Sequence, residues 1–133
     1  MVSALCLARA GVRSIVVERS ASLSMHPKAH ELNARSIEIL TGLGFTLEEL
    51  EAEASPPSDA ARIIFCRTLG DELGRIDLLS PENHPEKYRR HLRAAVPYLN
   101  LSQTELEKAL LARVQADPLT RIMFEHEWQR VEE

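Results

Sequence analysis

The sequence predicts an α/β fold. Three observations predict it. Val2 to Ala10 is apolar apart from Ser3 and Arg9, and Gly11 follows, which reads as a packed helix and its stop. Ile15-Val16-Val17 is a continuous β-branched run, the pattern of a parallel strand covered on both faces. Beyond it, helical and extended patterns follow one another in the order helix, strand pair, helix, strand.

The front end can be read element by element. Gly11 is placed as the residue just past the helix, where positive φ costs least. Glu18 ends the strand. A helix, a glycine stop, a buried strand and a terminal acid form the second half of a dinucleotide-binding βαβ unit, so the fold is expected to be partial Rossmann-like. The first half, a strand and a glycine-rich turn, is expected just before Met1. Met1 therefore reads as an internal methionine taken as a start, or as the edge of a truncated gene.

Ser20 to His30 is a polar loop containing Pro27. Asn33 is expected to cap a helix from Ala34 to about Leu43, with Ile37, Leu40 and either Leu43 or Ile39 facing inward. Gly42 and Gly44 supply its stop. A short helix, Leu47 to Ala52, follows. Ser55 to Asp59 is a loop, and Arg62 to Arg67 a strand. Gly70-Asp71 offers a turn into a hairpin partner, Leu73 to Leu78. Ser80 to Tyr98 is broken by Pro81, Pro85 and Pro97 and reads as exposed loop. Ser102-Gln103-Thr104-Glu105 is a capping box. The helix it opens carries Leu106, Leu110 and Val114 on one face and ends before Pro118. Ile122, Phe124, His126 and Trp128 then alternate with polar residues as a half-buried strand. The domain expectation is one incomplete nucleotide-binding domain over residues 1–133, with 60–100 a β-hairpin and loop insertion.

Composition limits the function classes. The 133 residues suit one ordinary domain. The net charge of −4, from 20 acidic and 16 basic side chains, argues against nucleic-acid binding, which needs clustered cations on phosphates. No stretch approaches the roughly 20 apolar residues of a membrane span. The apolar start lacks the basic flank of a signal peptide, so the expected location is cytoplasmic. Cys6 and Cys66 have no metal or disulfide spacing. Cys6 is expected to pack on its helix.

Few residues stand out for chemistry. Glu18 lies where a nucleotide ribose binds, and its carboxylate can accept bonds from both hydroxyls. A strand-end acid facing solvent is the alternative. Arg35 and Lys28, near the start of the second helix, could meet a phosphate or be solvated charges. Gln103 opens the capped helix. Its amide can donate and accept to a ligand, although Gln is also an ordinary helix-start residue. His26 and His30 are four apart but flank Pro27 without a third ligand, which disfavours metal. His84 and His91 read as surface residues, and His126 as a core histidine.

Taken together, three segments resemble one family. They are Leu7-Ala8-Arg9-Ala10-Gly11-Val12 running into Val16-Val17-Glu18-Arg19, then His26-Pro27-Lys28-Ala29-His30-Glu31-Leu32-Asn33-Ala34-Arg35-Ser36-Ile37-Glu38-Ile39-Leu40, then Leu101-Ser102-Gln103-Thr104-Glu105-Leu106-Glu107. They are similar to the N-terminal part of FAD-dependent aromatic hydroxylases of the phenol hydroxylase and p-hydroxybenzoate hydroxylase type. The resemblance implies a p-hydroxybenzoate-hydroxylase-like FAD-binding domain. It implies that Glu18 binds the adenosine ribose of FAD and that Arg19 helps hold the adenosine end. Arg35 would lie along the pyrophosphate and ribityl chain, and Gln103 would approach the flavin chain. In that family NAD(P)H supplies the electrons, O₂ the oxygen, and a small aromatic molecule is the substrate. Lys28 stands where the family often has Arg, keeping the charge but losing the bidentate fork.

The resemblance also implies that this chain alone neither holds FAD firmly nor hydroxylates, because the glycine-rich turn and the later flavin-contacting motifs do not occur in it. A non-catalytic remnant, oligomerising through the unpaired sheet edge beside Val16 and Val17, is the alternative.

Overall fold

The computed structural model describes residues 1–26, 28–56, 59, 62–77 and 98–132, which form two compact units. Residues 1–29 and 102–133 make up the first, and residues 30–101 the second. The sequence expectations for Pro81, Pro85, Pro97, His84 and His91 fall outside the described residues.

The first unit starts with helix α1, Val2–Arg9, and strand β1, Ser14–Val17. Gly11 sits at φ 75, the left-handed conformation that a side chain disfavours. It allows Gly11 N–H to donate to the Ala8 carbonyl and Val12 N–H to the Leu7 carbonyl, both at 2.9 Å. Those two bonds are the Schellman closure, and they satisfy carbonyls the helix end would otherwise orphan. Ala4, Leu5 and Ala8 are buried. Cys6 is exposed, contrary to its expected packing role, because it lies on the opposite face from that small-residue stripe.

The last helix of the unit spans Gln103–Ala116 and the last strand Thr120–Met123. Helix and strand are called α4 and β6 below, α2, α3 and β2 to β5 belonging to the second unit. Strands β1 and β6 are parallel, with Ser14 opposite Thr120 and Val17 opposite Met123. The parallel reading of β1 holds, but its two-sided cover does not. Ile15 is 62% and Val17 44% exposed, because among the described residues one face of the strand carries no covering helix. Leu110 and Val114 form the buried stripe of α4, and burying each contributes roughly 1.5–3 kcal/mol. Ser102 accepts from Glu105 N–H at 3.3 Å, but the return bond of the expected capping box is not made. Glu105 pairs instead with Lys108 at 2.8 Å.

Strand β6 stops at Met123, three residues short of His126. The cause is a turn at Phe124 and Glu125, where Glu125 takes φ 59. His126 is exposed rather than a core residue, and Trp128 is exposed as well.

In the second unit β2, Leu32–Asn33, leads into α2, Ala34–Gly42. Asn33 caps α2 by accepting from Ser36 N–H at 2.9 Å. Ile37 and Leu40 are buried, as the spacing predicts, while Ile39 is exposed. Gly44, at φ 91, closes α2 as Gly11 closes α1, and places Phe45 in the core. Helix α3, Leu47–Ala52, carries the complete capping box, between Thr46 and Glu49. Strands β3, Arg62–Thr68, and β4, Asp71–Asp77, form an antiparallel hairpin around Gly70. Strand β5, Tyr98–Leu99, pairs antiparallel with β2, a contact between short segments that no sequence pattern announced. Leu99 and Leu101 are buried behind it.

Two glycine substitutions separate backbone strain from helix propensity. Gly11→Ala is expected to cost about 1 kcal/mol, since only the positive φ opposes it. Gly42→Ala, inside α2 with open space around the new methyl, is expected to stabilise by about 0.5–1 kcal/mol. Thermal unfolding of the two variants should move in opposite directions from the parent.

Candidate nucleotide site

Parallel pairing of β1 and β6 brings both strands to a common carboxyl-terminal end, the edge of an α/β sheet where ligands bind. Glu18 lies at that end. Its N–H donates to the Met123 carbonyl at 2.9 Å, which extends the ladder one residue past β1. Its side-chain Oε1 accepts from the Ser20 N–H at 2.8 Å. The carboxyl is held below its ordinary value of 4.5, first by the Ser20 backbone bond, then by the Ser20 hydroxyl, with Arg19 and Lys28 adding positive potential. Glu18 is therefore ionised at neutral pH and half-exposed. A carboxylate has more acceptor capacity than the bonds from Ser20 consume, so its chemistry fits a ligand presenting a vicinal diol.

Arg19 is exposed directly after Glu18. Gln103 belongs to the same unit and stands first in α4. Its N–H donates to the Ala29 carbonyl at 2.8 Å, tying the helix start to the loop that carries Lys28. Its side-chain Nε2 donates to Glu107 one turn on, at 2.6 Å, which leaves the amide oxygen as an acceptor. Arg35 belongs to the second unit, at the second position of α2. Its guanidinium pairs with Glu38 at 3.0 Å and stays 76% exposed, with further donors open to solvent.

Two features are not announced by the sequence pattern. Ser20 holds the Glu18 carboxylate, and the acid-x-Ser spacing was the only signal for it. In the second unit a cavity of about 200 Å³ is lined by His30, Glu31, Arg62, Tyr98 and Asn100 among others. There His30 Nδ1 bonds Asn100 Oδ1 at 2.9 Å, and burial followed by the Glu31 charge raises the Tyr98 hydroxyl above its usual value. No group of three His, Cys, Asp or Glu suited to a metal occurs among the described residues. No helix among them is long and apolar enough to cross a membrane.

Comparison with known proteins shows the family and the fold. The family described as FAD binding domain matches residues 1–133. The chain is 35% identical over 111 residues to a 2,4-dichlorophenol 6-monooxygenase from Delftia acidovorans, a match covering 82% of this chain and 18% of that protein. The crystal structure of the flavin-dependent monooxygenase PieE in complex with FAD and substrate superimposes with a TM-score of 0.75 at 33% identity, over 95% of this chain and 22% of that one. The p-nitrophenol 4-monooxygenase PnpA from Pseudomonas putida DLL-E4 shares the fold, with a TM-score of 0.73 at 19% identity, covering 99% of this chain and 30% of that one. The chain thus spans about a fifth to a third of the length of these proteins.

The depressed Glu18 titration has a definite sign. A carboxyl whose folded value lies below 4.5 stabilises the fold above that pH, and the contribution fades as pH falls through the folded value. Acid unfolding of Glu18→Gln should therefore depend less steeply on pH below 4.5 than that of the parent. Equal slopes would contradict the Ser20-held carboxylate.

Proposed function

This chain belongs to the FAD-binding domain family, and from that premise we propose that it forms the FAD-binding part of a monooxygenase that hydroxylates a small aromatic substrate with NAD(P)H and O₂. FAD is the cofactor of the family, and the p-hydroxybenzoate-hydroxylase-like fold is the one its structural neighbours share. The observation that carries the reading is the ionised Glu18 carboxylate at the end of a parallel strand.

Each residue has a separate role in this reading. Glu18 accepts the two hydroxyls of the adenosine ribose. Arg19 adds positive charge at the adenosine end. Arg35 offers its exposed guanidinium donors to the pyrophosphate, where a planar fork suits paired oxygens. Gln103 presents its amide oxygen to the hydroxylated chain between pyrophosphate and flavin. Residues 60–100 form an insertion within the domain. FAD, when bound, would supply the redox chemistry between NAD(P)H, O₂ and the aromatic ring. The chain's own side chains bind and orient that cofactor.

Self-association is a second reading, favoured by the exposure of Ile15 and Val17 on a strand whose outer edge is unpaired among the described residues. Sedimentation should then show a defined oligomer, and a monodisperse monomer removes this reading.

Binding of adenosine 5′-monophosphate (AMP) tests the principal one. Amide resonances of the labelled chain, followed through a titration to millimolar AMP, should move at Glu18, Arg19 and Ser20. In Glu18→Gln the affinity should fall about tenfold or more, the usual loss when a charged acceptor is removed. Shifts confined to other residues, or none, would refute it.

A further inference from the structure

Two segments far apart in sequence are laced together beside Glu18. Besides the bond from Glu18 N–H to Met123, the His126 N–H donates to the Glu18 carbonyl at 3.0 Å, and the Glu125 N–H donates to the Ser20 carbonyl at 3.1 Å. Ser20 donates its own N–H to the Glu18 carboxylate. The turn thus holds the carbonyls on either side of the Arg19–Ser20 peptide, whose N–H the Glu18 carboxylate accepts. The facing turn is fixed in its own right, with His126 Nδ1 bonded to the Phe124 carbonyl at 2.6 Å. Glu125 sits in the left-handed region, which disfavours any residue with a side chain. Such a conformation persists where the surroundings over-determine it, and here it delivers the Glu125 and His126 amides to consecutive segments of the Glu18–Ser20 loop.

We propose that Ser20 and the Phe124–His126 turn are positioning elements for the Glu18 carboxylate, fixing the direction in which it meets the two ribose hydroxyls. The proposal rests on the reading of Glu18 as the ribose acceptor. A free glutamate would lose side-chain freedom on meeting a ligand. One whose oxygen is already committed to a fixed amide has lost it beforehand, which favours binding by pre-organisation. The charged groups that act on the carboxylate are Arg19 and Lys28, and the facing turn carries two titratable residues, Glu125 and His126. Neither Arg19 nor Lys28 makes the principal bond to Glu18. That bond comes from the backbone of Ser20, so side-chain identity at position 20 matters less than the path of the chain there.

The Ser20 amide itself is the reporter. Its proton resonance should follow the ionisation of Glu18, with a midpoint below 4.5 shared with the Glu18 carboxyl carbon. A Ser20 amide that stays still while the Glu18 carboxyl titrates overturns the proposal. Glu125→Gly keeps both the amide and the positive φ, and should retain the low midpoint. Glu125→Pro removes the donor and forbids the φ. It should raise the Glu18 midpoint towards 4.5 and weaken AMP binding about tenfold, as expected when one charge-assisted hydrogen bond loses its geometry. A folded Glu125→Pro chain with midpoint and affinity unchanged overturns the proposal. If that variant does not fold, the Ser20 response in the unmodified chain decides the matter. Unchanged AMP affinity in Glu18→Gln refutes the ribose reading and with it the purpose assigned to the clamp, even where Ser20 titrates as expected. The two failures are therefore distinguishable.

Discussion

The parallel ladder between β1 and β6 is the constraint on which the candidate site depends. Two strands of four residues each would be marginal alone. They persist because α4 delivers the chain to β6 and buries Leu110 and Val114, while α1 lays Ala4, Leu5 and Ala8 into the core of the same unit. A parallel pair leaves its carboxyl ends together. That one topological fact puts Glu18, near the front of the sequence, against Met123 and His126, near its end. The backbone ladder then continues past the strands as a set of loop-to-loop hydrogen bonds. The main partner of the carboxylate is a backbone amide of that same loop, Ser20 N–H, which holds its titration below the ordinary value.

Local rules make this ladder possible. Helix α1 ends in two bonds that only a left-handed residue permits, and Gly11 supplies it without strain. Its closure aims the chain into β1. Gly44 does the same for α2, turning Phe45 inward. At position 125 the left-handed residue is a glutamate, so strain is accepted rather than avoided. The contrast separates the turns that close helices, where glycine serves, from the turn beside the candidate site, where a residue with a side chain takes the left-handed conformation.

Much of this was legible in the sequence, where short-range chemistry decides the outcome. Asn33 before Ala34, Ser102 before Gln103, Gly11 after Ala10 and the Ile37/Leu40 spacing each act within a turn or two of helix, and the structure follows them. The candidate residue Glu18 was legible for the same reason, from its place at the end of a β-branched run. What stayed hidden depends on partners remote in sequence. The β2–β5 pairing joins residues 32–33 to 98–99, with nothing in either dipeptide to announce it. The alternation from Ile122 to Trp128 promised a longer strand, but the turn at Glu125 cuts it short, and glutamate carries no signal for positive φ. Ile15 and Val17 looked doubly covered because a β-branched run records propensity, not which neighbours are present. Ser20 matters through its backbone, which a sequence does not display.

If Glu18 is the acceptor of the ribose diol of an adenine nucleotide, as we claim, carboxylate and diol must be energetically coupled, and that coupling can be measured. The affinities of AMP and of 2′,3′-dideoxy-AMP would be compared in the parent chain and in Glu18→Gln. The parent should prefer the diol by about tenfold or more, and Glu18→Gln should show no preference, because the removed hydroxyls and the removed charge are partners in one interaction. An equal preference for the diol in both chains would contradict the claim.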